Sequence, residues 1–143
     1  MVRQHGPASY DPFVIPAPRL LFAVAAGGVV GAVLRHGAGE LAPDGPGFPW
    51  TTFAINVVGC ALLAGLELLP IARRSATWAA ALGPGVLGGF TTFSATSEQG
   101  RSLLAAGDTA LAGCYLLGTL AVCLLVVTVV GRYAPPLPEE DEL

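Results

Sequence analysis

The chain has 143 residues, 53% of them hydrophobic and only 12% charged, with a mean hydropathy of +0.65. Soluble domains carry about 25% charge, so an ordinary water-soluble enzyme core is excluded, as is disorder, which needs low hydrophobicity and high charge. Seven Arg, no Lys and a net charge of −3 leave no basic footprint for nucleic acid.

In chain order, residues 1–18 hold Pro, Gly and a few polar groups with no apolar core, and are expected to form a poorly ordered tail. They lack the short hydrophobic stretch and small-residue cleavage site of a secretory signal. Leu20–Leu34 is uncharged and predicts a first span over about 19–39. Ala42-Pro-Asp-Gly-Pro-Gly-Phe-Pro49 is a turn-forming loop. Gly45–Leu66 is uncharged for 22 residues and predicts a second span, 49–69, with Trp50 at its interface. Pro70, Arg73 and Arg74 end it. Ser75–Ser97, 23 residues without charge, predicts a third span over 77–104, opened by Trp78. After Gly107-Asp108, the 23 uncharged residues Thr109–Gly131 predict a fourth. Pro135, Pro136 and Pro138 close it, and residues 134–143 read as a solvated acidic tail. A membrane helix needs roughly 20 apolar residues. The fold class is therefore an all-α membrane protein with a four-helix transmembrane domain over 19–133.

The third span is unusual. As one helix, residues 77–104 would reach about 42 Å, too long for a ~30 Å hydrocarbon core. Pro84, Gly85, Gly88 and Gly89, followed by Thr91-Thr92, invite a break near residues 88–92. Unwound backbone at membrane depth is tolerated where it lines a cavity or is buried in protein, and it frees carbonyls and amides for ions. The plainer reading is a Gly-softened, Pro-kinked packing helix.

The remaining polar residues each admit two readings. Arg35 is either a snorkelling end-cap or a fixed positive charge at a vestibule. Asn56 taken alone is better read as glue between helices than as a permeation group. Tyr115, Thr119 and Cys123 recur at i, i+4 and i+8 on one helix face, as a ladder of weak donors or a packing stripe. Gly27, Gly31 and Gly113 fit close helix contact. His5 and His36 are the only histidines, so no Ser/His/Asp set can be built. The three Cys (Cys60, Cys114 and Cys123) lie in apolar runs without C-x-x-C spacing, which argues against a disulfide framework or a zinc site. Five Arg on the side of the termini and the 70–76 loop, against two on the other, favour termini inside by a small margin.

Three strings carry a resemblance: Gly27-Gly-Val-Val-Gly-Ala-Val-Leu-Arg35, Thr51-Thr-Phe-Ala-Ile-Asn-Val-Val-Gly59 and Gly88-Gly-Phe-Thr-Thr-Phe-Ser94. In this order and at these separations they resemble the Fluc/CrcB family of bacterial fluoride channels, over about residues 20–131. The resemblance implies a passive fluoride exporter in the bacterial inner membrane. It implies a dual-topology dimer of antiparallel four-helix subunits, with pores along the interface. It implies a structural sodium ion at the centre, on backbone carbonyls at the break, which by position are those of Gly88 and Thr91. It maps the vestibule charge to Arg35, the pore amide to Asn56, a pore ring to Phe93 and the polar track to Tyr115, Thr119 and Cys123. Thr96 stands where the family usually has a second pore Phe. Either a related second subunit supplies that ring in a heterodimer, or Thr96 offers a hydroxyl donor in a homodimer. The acidic residue expected shortly afterwards has two candidates, Glu98 and the neutral Gln99. Two other classes compete: a small drug/proton antiporter, which needs a carboxylate at membrane depth, and a non-conducting assembly subunit whose polar residues are only glue.

Overall fold

A computed structural model describes residues 16–133, and every regular element among them is helical. Most of the two expected tails, 1–18 and 134–143, lies outside these residues. Helix α1 spans Pro18–Leu41 and α2 spans Trp50–Gly65, extended by a 3-10 turn at Leu66–Leu68. Short helices α3 (Pro70–Arg74) and α4 (Ala76–Ala80) follow. The chain then runs through a π-helical stretch, Ala81–Leu87, into α5 (Gly88–Phe90). Helix α6 covers Phe93–Ala105 and α7 covers Thr109–Gly131.

Among the described residues, three helices are long and apolar enough to cross a membrane: Pro18–Leu41, Trp50–Leu68 and Thr109–Gly131. They coincide with the first, second and fourth expected spans. The third is divided. Its helix stops at Phe90, Thr91 and Thr92 are extended (ψ 157° and 116°), and α6 restarts at Phe93. The interruption falls at the C-terminal edge of the interval expected from the glycines. The π-helical stretch was not legible beforehand. Pro84 has no N–H for the helical ladder, and Gly83 and Gly85 on either side let the backbone widen around it.

Helix α1 packs chiefly along 81–90, whereas α2 and α6 both pack on α7. The α1 contact is backbone against backbone. A methyl on Gly27 would overlap Ala81 O, and one on Gly31 would overlap Val86 O. A side chain at Gly89 would lie 2.5 Å from Gly28 O. Gly27 and Gly31 are thus packing residues, as expected. Gly113 meets nothing within this chain, with no atom within 4 Å of where its Cβ would stand. Gly31→Val is expected to cost about 3 kcal/mol or more, because backbone cannot yield as a side chain does. The check is loss of the monodisperse peak in detergent size exclusion, beside a Gly113→Val control that keeps it.

The burial pattern is inverted relative to a water-soluble protein. The buried polar residues are Thr52, Asn56, Thr92, Thr96 and Thr119, whereas Leu, Val, Ile, Trp and Phe side chains stand exposed along the helices. Membrane helices associate through small and polar contacts, because lipid is as apolar as Leu. The largest buried side chain, Tyr115, sits with Leu103 and Ala112 beneath Phe48, Phe53, Leu111 and Leu116. This is a membrane protein by its surface as well as its composition.

Candidate functional site

The site is organised by the break. In a continuous helix the Thr92 N–H would donate to Gly88 O. Here it donates to Asn56 Oδ1 instead, at 2.8 Å. The Asn56 amide returns two bonds, Nδ2 donating to Thr92 O at 3.1 Å and to Thr96 Oγ1 at 2.9 Å. One side chain on α2 thereby satisfies both backbone groups of Thr92 and ties down the first turn of α6. Thr92 Oγ1 caps that turn by accepting from Ala95 N at 3.1 Å. On the other side, Thr91 Oγ1 donates to Leu87 O, and its side chain fills the space left by Gly59.

Beside the break runs an open groove of about 670 Å³ between α2, α6 and α7. It brings together five of the seven residues mapped to a pore: Asn56, Phe93, Thr96, Thr119 and Cys123. Thr91 lines it as well. Sequence reasoning missed Cys60, Ser97 and Arg101, which share the lining with Thr92 and leucines of α6 and α7. Phe93 stands 86% exposed. Arg35, Tyr115 and Gly88 do not line the groove. Arg35 is half-buried on α1, in no ion pair among the described residues.

Several hydroxyls in the groove are already engaged. Thr96 Oγ1 donates to Thr92 O at 2.9 Å while accepting from Asn56, so its proton serves the break. Thr119 Oγ1 donates to Tyr115 O at 2.6 Å. Every buried side-chain polar atom among the described residues has a partner. Asn56 is therefore glue within this chain, the reading its residue type favoured, and it also lines the groove.

A second network lies one turn away and was not foreseen. Asp44, in the α1–α2 loop, accepts from Thr51 N (2.7 Å), Thr52 N (3.1 Å) and Thr52 Oγ1 (2.7 Å). Gln99 Nε2 donates to Asp44 Oδ2 and to Thr52 Oγ1, each at 2.9 Å. Tyr115 Oη donates to Gln99 Oε1 at 2.7 Å. Burial pushes the Asp44 carboxyl up, but hydrogen bonds from the Thr52 hydroxyl, the two backbone N–H groups and Gln99 outweigh it and hold the carboxyl below its usual range. Asp44 precedes the helix by six residues across two prolines, so it does not read as a cap from sequence. The structure also separates Glu98 from Gln99. Glu98 faces outward in an exposed ion pair with Arg101, and Gln99 faces inward.

The family model described as CrcB-like protein, Camphor Resistance (CrcB), matches residues 22–132, a range that holds the break, the groove and this network. The chain belongs to the CrcB family. A fluoride-specific ion channel FluC of Rhizobium etli (strain CIAT 652) is 42% identical over 111 residues, 74% of this chain and 88% of the relative. One from Sphingopyxis alaskensis is 43% identical over 111 residues, 73% of this chain and 86% of its own. One from Novosphingobium aromaticivorans is 50% identical over 103 residues, 68% of this chain and 81% of its own. In this CrcB chain the three strings that suggest the family meet in space: Gly27 and Gly31 pack on the segment ahead of the break, and Asn56 binds just after it.

Proposed function

We propose that the chain is a fluoride channel that exports cytoplasmic fluoride passively across the bacterial inner membrane. The observation that carries this reading is the groove: in a CrcB-family chain, Asn56, Phe93, Thr96, Thr119 and Cys123 converge on one open face. A second four-helix subunit, an identical copy or a relative in antiparallel orientation, would close that face into a pore. The divided segment 76–105 serves as the fourth membrane-crossing element.

Fluoride is small and strongly hydrated, so a pore must replace its water with donors. The Phe93 ring offers its positive edge. The Cys60 and Cys123 thiols and the Ser97 hydroxyl, which makes no side-chain bond among the described residues, supply weak donors. Weak contacts at several sites suit conduction better than one tight site. Arg35 raises anion concentration at a mouth. Tyr115, buried and outside the lining, supports the pore from behind, and Thr96 lines it with its proton given to the break.

A sodium ion at the dimer centre fits the donor set at the break. Thr92 N–H leaves the Gly88 carbonyl without its usual helical donor, and the extended Thr91 turns its own carbonyl out of the ladder. The residues that would hold the ion are Gly88 and Thr91, through backbone oxygen. A cation there would offset the field that a low-dielectric interior sets against an anion.

Purified protein in liposomes is expected to release fluoride and retain chloride, followed with ion-selective electrodes. Equal loss of both ions, or of neither, overturns the channel reading. Organic-cation efflux driven by a pH gradient selects the antiporter.

A further inference from the structure

The Asp44 network has a direction. A carboxylate only accepts hydrogen bonds, so the Gln99 amide must turn its NH₂ toward Asp44. Its carbonyl then faces Tyr115 and takes the single proton of that hydroxyl. Thr52 gives its own proton to Asp44 and so has a lone pair for Gln99. Every donor in the chain points back to the carboxylate. Reversing the amide would set its oxygen against the Asp44 carboxylate and take the acceptor away from the Tyr115 proton.

The same residues are one helical turn from the groove. Thr52 precedes Asn56 by four positions on α2, Gln99 follows Thr96 by three on α6, and Tyr115 precedes Thr119 by four on α7. Such spacings share a helix face at a rise of about 5 Å. The link from Tyr115 is direct, since its carbonyl accepts from Thr119 Oγ1.

We propose that Asp44 is a positioning residue for conduction: it sets the direction of a hydrogen-bond chain through Gln99 to Tyr115 that keeps the groove-lining faces of α2, α6 and α7 in register. This rests on the channel reading above. It assigns the Tyr115 hydroxyl to Gln99 and away from the anion path.

A carboxylate swap tests it. Gln99→Glu sets a second carboxylate against Asp44, and the two accommodate each other only by sharing a proton. Few other ionisable groups surround the pair. Tyr115 faces it from α7, Glu98 and Arg101 on α6 pair with each other where Arg101 lines the groove, Glu40 near the end of α1 makes no side-chain hydrogen bond among the described residues, and α2 offers only Cys60, in the groove. Gln99→Glu is expected to lose fluoride flux about tenfold between about pH 6 and pH 8.5, as the shared proton leaves. Asp44→Asn combined with Gln99→Glu exchanges amide and carboxylate, keeps one charge, and is expected to conduct within about threefold of wild type with a flat profile.

A Gln99→Glu profile as flat as the wild type's, or a loss that the swap leaves in place, overturns the proposal. Should Gln99→Glu alone fail to reconstitute, a conducting swap supports the proposal and a silent swap overturns it. Wild-type protein measured alongside separates the two levels. A wild type that passes no fluoride defeats the channel reading and this inference with it, whereas a conducting wild type beside unresponsive variants defeats the inference alone.

Discussion

Asn56→Asp is expected to silence fluoride release and to loosen the fold at the same time. The amide of Asn56 donates to Thr92 O and Thr96 Oγ1 and accepts from Thr92 N, all in a buried position. A carboxylate preserves only the bond from Thr92 N. Its second oxygen meets the Thr92 carbonyl, 3.1 Å from the present donor, and a negative charge enters a buried position where Asn56 has no charged hydrogen-bond partner. A buried acceptor left without its donor costs about 1–3 kcal/mol, and an unpaired charge adds to that. We expect a loss of about 3–5 kcal/mol, read as a fall in the thermal midpoint in detergent. The folded fraction should conduct at least about tenfold less, because an anion fixed on the groove wall repels another. Asn56→Leu separates the two contributions. It removes the same bonds without adding charge, so its stability loss should be comparable and its surviving molecules less impaired. Wild-type flux per folded molecule in Asn56→Asp would place Asn56 off the ion path and leave it as glue.

Phe93→Ile is expected to have the opposite profile, with flux reduced and fold intact. The ring is 86% exposed and contributes almost nothing to packing within the chain. Replacing it with Ile should move stability by no more than about 0.5 kcal/mol. Ile keeps much of the apolar volume but lacks the positive edge of an aromatic ring. An edge contact of that kind is worth about 0.5–1.5 kcal/mol, and about 1.4 kcal/mol is tenfold. Fluoride release should therefore fall by about two- to tenfold, while size exclusion and cross-linking report an unchanged assembly. Unchanged efflux in this variant would remove Phe93 from the pore.

These two variants mark how far the sequence reaches. Asn56 stands out from neighbouring residues alone, as an amide inside an apolar run, whereas Phe93 was marked only by the resemblance to the Fluc/CrcB family. The division of the third segment was legible for the same reason as Asn56, since Gly and Pro weaken a helix through their own backbone chemistry. Which partners these residues take was not legible. Asn56 bonds to residues 36 and 40 positions away, and Gln99 reaches Asp44 across 55. No local period carries that information. Thr96 illustrates the cost. As a residue type it offers a hydroxyl to an anion, and only its geometry shows the proton given to Thr92 O.

The distribution of charge along the chain was enough to mark three membrane-length helices and one further uncharged segment, because each unpaired charge in hydrocarbon costs several kcal/mol and so confines charges to the ends. The folded arrangement alone decided that Gln99, and not Glu98, turns inward, and that a loop carboxylate anchors Tyr115. Hydrogen bonds are directional and short-ranged, so their pairing depends on which helix faces meet, and that follows from packing over the whole chain.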